Sequence, residues 1–244
     1  MKDLEEVLGE IDASLVLDVA TGGGSFAKYL REEHERLGTI IGIDVIMKAM
    51  ERSAGQLGTT DDFSFMCMDS SSMGFRNETF DLVCISNSIH HLNNRESTFQ
   101  EMLRVLKPRG WFLASEMYRD GQTETQKTHV LLHHWWAEVD TLRGITHNKT
   151  MTRDELAAML RTLDLEAAVE KDSSFLQSDP LDRELLNRIR KGIDKYMEVL
   201  DDIGGQGELR ERGEELRKRL DSVGFHGASS YSILGRKPAS SPGE

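Results

Sequence analysis

The stretch Leu15-Val-Leu-Asp-Val-Ala-Thr-Gly-Gly-Gly-Ser-Phe-Ala27 decides the fold. Apolar residues run into a glycine cluster, and a helical pattern takes over from Ser25, so the segment reads as strand, tight turn and helix. Strands bounded by glycine and followed by amphipathic helices predict a parallel sheet. Such sheets take ligands at the carboxyl ends of their strands, where the strand order reverses. Gly22, Gly23 and Gly24 let the backbone approach a ligand that side chains would exclude. Asp18 ends the strand and is expected to give the site a negative edge.

The same turn supports three readings. Gly22-x-Gly24-x-x-Ala27 satisfies a dinucleotide fingerprint, in which glycines and a helix N-terminus receive a pyrophosphate. That reading predicts an NAD-dependent oxidoreductase, but the anion would have to tolerate Asp18, and no Tyr-x-x-x-Lys or other hydride-transfer constellation accompanies it. A cationic ligand suits the acid better. The third reading is a glycine-rich connection that binds nothing.

Composition narrows the field. The 244 residues suffice for one substantial core, read as a single α/β domain with an insertion. Thirty basic against 42 acidic side chains leave a net charge of −12 with no long basic block, which argues against nucleic acid as a partner. Cys67 and Cys84 fall in apolar strand-like runs without disulfide or metal-ligand spacing and are expected in the core, in a reducing compartment. No apolar run reaches membrane-spanning length, so the expectation is a cytoplasmic protein without membrane contact.

Along the chain, Lys2–Leu8 predicts a short acidic helix, and 25–37 a longer one with Phe26, Ala27, Leu30 and Leu37 toward the sheet and Gly38 as its stop. Thr39–Ile43 is a β-branched strand ending in Asp44. A carboxylate there accepts two hydrogen bonds from the vicinal hydroxyls of a ribose, or caps the helix expected from Val45 to Gln56, or does both. Phe63–Met68 reads as a third strand ending in Asp69-Ser70. FDLVCISNSIHHL (80–92) is a buried strand running into Ser86, Asn87 and Ser88 and then paired histidines. EMLRVLKPRGWFL (101–113) is a helix with Phe99, Met102, Leu103 and Leu106 on one side, stopped by Pro108 and Gly110 before a fifth strand.

Asp18-x-Ala20-x-Gly22-x-Gly24, Gly42-Ile-Asp44, Met68-Asp69 and the two blocks at 80–92 and 101–113 together resemble class I S-adenosylmethionine-dependent methyltransferases, with alanine at the first glycine position. The likeness is to the small-molecule branch that includes quinone-biosynthesis enzymes, and it covers about Leu15 to Met117. It implies an α/β fold: a doubly wound, seven-stranded, mostly parallel Rossmann-like sheet with helices on both faces. The implied cofactor is S-adenosylmethionine, which carries an ammonium and a sulfonium and no phosphate. The implied cofactor-binding residues are Asp18, Ala20, Gly22, Gly24, Asp44, Val45, Asp69, Ser70 and Asn87, with Asp69 facing the exocyclic amine of adenine and Ser70 donating its backbone amide.

Beyond Met117 the resemblance names no substrate. Gln126–Leu142 is helical, with Leu132, Trp135, Val139 and Leu142 on one face. His129, His133, Trp136 and Asp140 form a second stripe, whose tryptophan is unusual for a solvated face. Substrate pocket ranks first for this stripe, partner or dimer contact second, and metal last, since two histidines one turn apart lack a third ligand placed by spacing. His91 joins the expected substrate pocket with His133, Trp136 and Asp140, although His90 and His91 also read as residues packing on the site wall. Thr152-Arg-Asp-Glu155 is a capping box opening a helix with Leu156, Leu160 and Leu163 inward. Leu165–Val169 is the next strand.

Two charged helices are expected at Asp179–Ile203 and Glu208–Val223. Their stripes are Leu185, Ile189, Ile193, Tyr196 and Leu200, and Leu209, Leu216, Leu220 and Val223. They predict a helical hairpin inserted before the last strand, Ser229–Gly235. Within one domain, 1–244, the expected parts are a substrate-cover segment at 118–152, the insertion at 172–227 as a homodimer contact, and a flexible tail at 238–244. The expected reaction is methyl transfer to a small-molecule acceptor by in-line displacement. Where the acceptor must lose a proton, His133, His129 or Tyr118 is the candidate base. A cofactor-binding interaction protein with little methyl transfer is the non-enzymatic alternative.

Overall fold

A computed structural model describes residues 3–48, 51, 55, 62–204 and 206–239. The chain divides into two compact units, one of residues 1–116, 157–171 and 231–244, the other of 117–156 and 172–230. In the first, the apolar run before the glycines is β1 (Ala13–Val19), and the helical pattern after them is α2 (Ser25–Glu33). A short α1 (Leu4–Glu10) precedes them, opened by a capping box between Asp3 and Glu6. β2 (Leu37–Asp44), β3 (Phe63–Cys67), β4 (Phe80–Ser86), β5 (Leu106–Met117), β6 (Glu166–Ser173) and β7 (Ser230–Arg236) complete a seven-stranded sheet of order β3-β2-β1-β4-β5-β7-β6.

β1 pairs in parallel with β2 on one side and β4 on the other, and β2–β3 and β4–β5 are parallel as well. β7 runs against β5. Arg109 N–H donates to Lys237 O (3.0 Å) while Ser232 Oγ donates to Ser115 Oγ (2.8 Å), so one strand rises in number as the other falls. The sheet is therefore mixed. The chain leaves β1 toward β2 and β3 and returns to β4 on the other side. The carboxyl ends of β1 and β4 thus flank the reversal point at which open α/β sheets bind ligands.

The central strands read as continuous apolar runs because both their faces are covered. Val16, Leu30, Ile40, Leu82, Cys84, Leu113 and Leu234 share one core. α3 (Arg95–Val105) buries Phe99 and Met102, capped by Asn94, whose side chain accepts from Ser97 N–H. The helix expected over 25–37 ends sooner. Leu37 is already strand, paired with Ala13, and Gly38 lies within β2 against the backbone of Ser14, where a side chain would collide. The helix stop was thus a close approach of two strands. Leu106 likewise belongs to β5 rather than α3. Cys84 is buried as expected, but Cys67 ends β3 exposed. The helix expected at Val45–Gln56 and the tail at 238–244 fall largely outside the described residues.

The second unit is helical. α4 (Glu124–Leu142) starts at a capping box between Thr123 and Gln126. α5 (Arg153–Arg161), most of which belongs to the first unit, follows Thr152, whose amide donates to Glu155 (2.7 Å). α6 (Arg183–Ile203) and α7 (Gly207–Ser222) precede β7. Leu132, Trp135 and Val139 of α4 pack with Leu186, Ile193, Met197 and Leu200 of α6 and with Leu216 and Leu220 of α7. Trp135 Nε1–H donates to Leu209 O (2.8 Å). Gly213 lies against that indole, where a Cβ would come within 2.7 Å of Cζ2. In α6 the expected Ile193 and Leu200 are buried and Ile189 and Tyr196 pack against the same core, with Leu186 and Met197 buried beside them, while Leu142 is exposed rather than facing inward.

Candidate active site

The turn after β1 is built by alternation of backbone hand. Ala20, Gly22 and Gly24 all have positive φ (53°, 53° and 78°). Glycine adopts this region freely and alanine at a cost of about 1–2 kcal/mol. Thr21 N–H donates to Ile43 O and Gly24 N–H to Thr21 O (both 2.9 Å), pinning the turn to β2. At the end of β4, Asn87 is also left-handed (φ 46°), and Ser88 Oγ donates to Ala20 O (3.0 Å). The two strand ends are thereby tied together across the reversal point.

Between them opens a crevice of about 370 Å³, lined by the end of β1, the Ala20–Gly22 turn, one face of α2 (Ser25, Phe26 and Tyr29) and Ser86–Ser88. Its size falls in the range of small-molecule sites. A Cβ at Gly22 or Gly23 would meet no atom within 4 Å, so these glycines border open space. α2 begins at Gly24, which has no side chain to cap it, and the Ala27 amide in its first turn bonds the Asp18 carboxylate.

Asp18 is not the negative edge expected of it. It is buried. Its carboxylate accepts from Thr21 Oγ1 (2.5 Å) and lies 3.8 Å from Cys84 Sγ. Burial raises its pKa to about 7, against the opposing bonds from Thr21 and Cys84, with the Asp44 charge adding to the rise. Asp18 braces the turn from beneath. Asp44 supplies the accessible acid: Oδ2 accepts from Gly22 N–H (2.9 Å) and Oδ1 from Ile46 N–H (2.8 Å). Each oxygen keeps a further lone pair, so the cap leaves acceptor capacity for a ligand.

Of the residues expected at the cofactor, Asp18, Ala20, Gly22 and Asn87 line the crevice. Gly24 caps α2 behind it, and Asp44 meets it through the Gly22 amide. Val45 is 64% exposed at the tip of β2. Asp69 is exposed and accepts from the amide and hydroxyl of Ser71 (both 2.8 Å), while Ser70 Oγ meets Thr98 Oγ1 (3.2 Å). Tyr29, Ser25 and Ser88 were missed. The signal for the first two was their spacing of four on the face of α2 that also carries Phe26. At the head of the turn after β4, Glu116 accepts from Ile89 N–H (2.8 Å) and contacts His90 Nδ1 (3.0 Å), both side chains being buried. His91 is exposed.

In the helical unit the second α4 stripe is inward. His129 Nδ1 accepts from Ala228 N–H (2.9 Å). His133 and Asp140 are buried and meet through His147: its Nδ1–H donates to Asp140 Oδ2 (2.8 Å), and its Nε2 lies 3.1 Å from His133 Nε2. Tyr196 OH donates to the same Asp140 oxygen (2.8 Å). Burial works to raise the Asp140 pKa, but the bonds from His147 and Tyr196 hold it below the usual carboxylate value. Burial and the bond to Asp140 push Tyr196 up. Burial, then the positive charges of Lys149 and Arg119, lower His134 to about 4. Burial also raises Tyr118, which disfavours the phenolate a base would need.

Residues 17–114, which build β1 to β5 and the crevice, match the family described as a methyltransferase domain. The resemblance read from the sequence, to the quinone-biosynthesis type with S-adenosylmethionine as cofactor, is borne out. Demethylmenaquinone methyltransferase of Thermotoga maritima is 28% identical over 116 residues, 48% of this chain and 49% of that protein. The chain spans about half the length of the curated relatives it matches. Among solved structures, phosphoethanolamine N-methyltransferase 2 of Haemonchus contortus, determined with phosphomonomethylethanolamine and S-adenosylhomocysteine, superposes with TM-score 0.59 at 16% identity, covering 96% of this chain and 51% of that one. The cyclase SpnF superposes with TM-score 0.58 at 18% identity, covering 97% and 80%. At these identities the likeness concerns the fold, which hosts more than one chemistry.

Proposed function

We propose that this chain transfers the methyl group of S-adenosylmethionine to a small-molecule acceptor. The observation that carries the reading is the crevice at the β1/β4 reversal point, with an open glycine floor and the Asp44 carboxylate at the tip of the neighbouring strand. Asp44 accepts from ribose hydroxyls while keeping its bond to the Gly22 amide. The Ala20–Gly24 backbone and the first residues of α2 receive the amino-acid end, and Asn87 lines the opposite wall. Val45, Asp69 and Ser70 lie at the neighbouring strand ends, where an adenine ring would reach, with Asp69 accepting from its amine.

The bound cofactor supplies a methyl group on a good leaving group, so the protein's part is to align the acceptor and exclude water. For an acceptor that must lose a proton, His133 is the favoured base, since His129 is engaged by the Ala228 amide and Tyr118 holds its proton too firmly. Trp136 and Asp140 are proposed to contact the acceptor, and 118–152 is the proposed substrate-cover segment. Helices α6 and α7 form the proposed hairpin insertion, and their outer faces are the proposed homodimer contact. No helix of the described residues is long and apolar enough to cross a membrane. Cytoplasmic placement and the lack of nucleic-acid partners are proposed from composition.

The dehydrogenase reading is not favoured by any of these likenesses. Equilibrium titration separates the two: S-adenosylhomocysteine is expected to bind in the micromolar range or tighter, and NAD not measurably. NAD binding with no S-adenosylhomocysteine affinity would overturn the proposal.

A further inference from the structure

We propose that His133 and His147 form a binding site for a borderline-soft divalent transition metal such as Zn²⁺ or Co²⁺. Both imidazoles are buried, and their Nε2 atoms face each other 3.1 Å apart with the ring planes at 84°. Two imidazole nitrogens on one tetrahedral Zn²⁺, each at roughly 2.0–2.1 Å, are separated by about 3.3 Å. The pair already has that spacing, and a shift of a few tenths of an ångström admits the ion. A bound ion takes the place of the hydrogen now between the two nitrogens, and that proton leaves to solvent.

The second observation is how His147 is held. Its Nδ1–H donates to Asp140, and Asp140 accepts in addition from Tyr196. A carboxylate behind an imidazole fixes the tautomer, directs the Nε2 lone pair outward and raises its basicity, as in metal sites generally. Asp140 is the positioning residue here. A four-coordinate ion keeps two positions for ligands outside this pair, the arrangement of a site that binds a further oxygen or nitrogen donor. The inference does not rest on methyl transfer, because metal binding is read without S-adenosylmethionine, and the base role proposed for His133 belongs to the metal-free chain.

The test uses the full chain, stripped with chelator and titrated with Co²⁺ by visible absorption and with Zn²⁺ by calorimetry. Expected are one tight site per chain and a visible Co²⁺ band of tetrahedral type. His133→Ala and His147→Ala should lose the band, and Asp140→Asn should weaken affinity by about 10- to 100-fold. Should the alanine variants fail to fold by circular dichroism, His133→Gln and His147→Gln carry the same test. Wild-type protein that binds neither ion, or folded variants that bind as wild type does, would overturn the site. Loss of the band with S-adenosylhomocysteine binding intact separates this outcome from failure of the methyltransferase reading.

Discussion

Asp44 accepts from two backbone amides and is the proposed ribose acceptor, and its replacement tells these roles apart. Removing it leaves the Gly22 and Ile46 amides without their acceptor, so Asp44→Ala should cost stability on the scale of a lost cap, about 1 kcal/mol. As a ribose acceptor its loss should further weaken S-adenosylhomocysteine by about 1.5–3 kcal/mol, roughly 10- to 150-fold. Calorimetric titration checks this, and a cap alone would leave the ligand affinity unmoved. Ala20 offers a converse case. Its left-handed backbone disfavours a side chain, so Ala20→Gly should leave urea stability unchanged or raise it by up to about 1 kcal/mol, where the same change in ordinary backbone lowers it. Asp18 gives a pH signature. Its folded pKa of about 7 lies above the unfolded value of 3.8, so the folded state holds the proton longer. The associated stability is complete below pH 3.8 and is lost as pH rises to about 7. Against Asp18→Asn, wild type should therefore lose stability between pH 4 and 7 in paired urea titrations. Equal slopes would show Asp18 to be ionised throughout.

At the scale of elements, α4 shows how far periodicity carries. Its heptad-like spacing placed Leu132, Trp135 and Val139 inward, as observed, because three turns of helix average out local error. In α6 the expected Ile193 and Leu200 are buried, whereas Leu186 is buried in place of Leu185, since both are apolar and only the partner helix decides between them. Gly213 illustrates what no single-helix pattern shows. Alanine favours helix over glycine by up to about 1 kcal/mol. Here its Cβ would strike the Trp135 indole and Met197, and such overpacking costs about 1–3 kcal/mol. Gly213→Ala is accordingly expected to lower stability by about 1 kcal/mol, and a more stable variant would show that the indole yields readily. On the same helix pair the depressed pKa of His134 runs opposite to that of Asp18. The unfolded chain takes the proton first, so stability falls as pH drops from about 6.5 to about 4, and His134→Gln should flatten that limb.

Across the whole molecule, the parts legible in sequence are those set by local chemistry. The strand, glycine turn and helix at 15–27, the acid ending β2 and the buried strand at 80–86 each declare themselves within a dozen residues. What stayed hidden is what the chain assembles from a distance. His147 lies in an irregular segment with no periodicity, so nothing local joins it to His133 and Asp140. Ser88 reaches the turn after β1 only because β4 returns beside β1. Asp18 looks like an edge acid until β4 covers it. The ligand proposed for the crevice spans such distant pieces and must stabilise them together. At a hundred times its dissociation constant, S-adenosylhomocysteine adds about 2.7 kcal/mol to the state that binds it. For a chain of this size each kcal/mol moves the melting temperature by roughly 2–4 °C, so a rise of about 5–11 °C is expected. The rise should fall to about half or less in Asp44→Ala at the same ligand concentration, where an affinity lowered tenfold or more leaves little of the linkage. Differential scanning calorimetry reads both. A melting temperature unmoved by saturating S-adenosylhomocysteine, in protein whose fold is intact by circular dichroism, would mean that the crevice between β1 and β4 holds some other ligand.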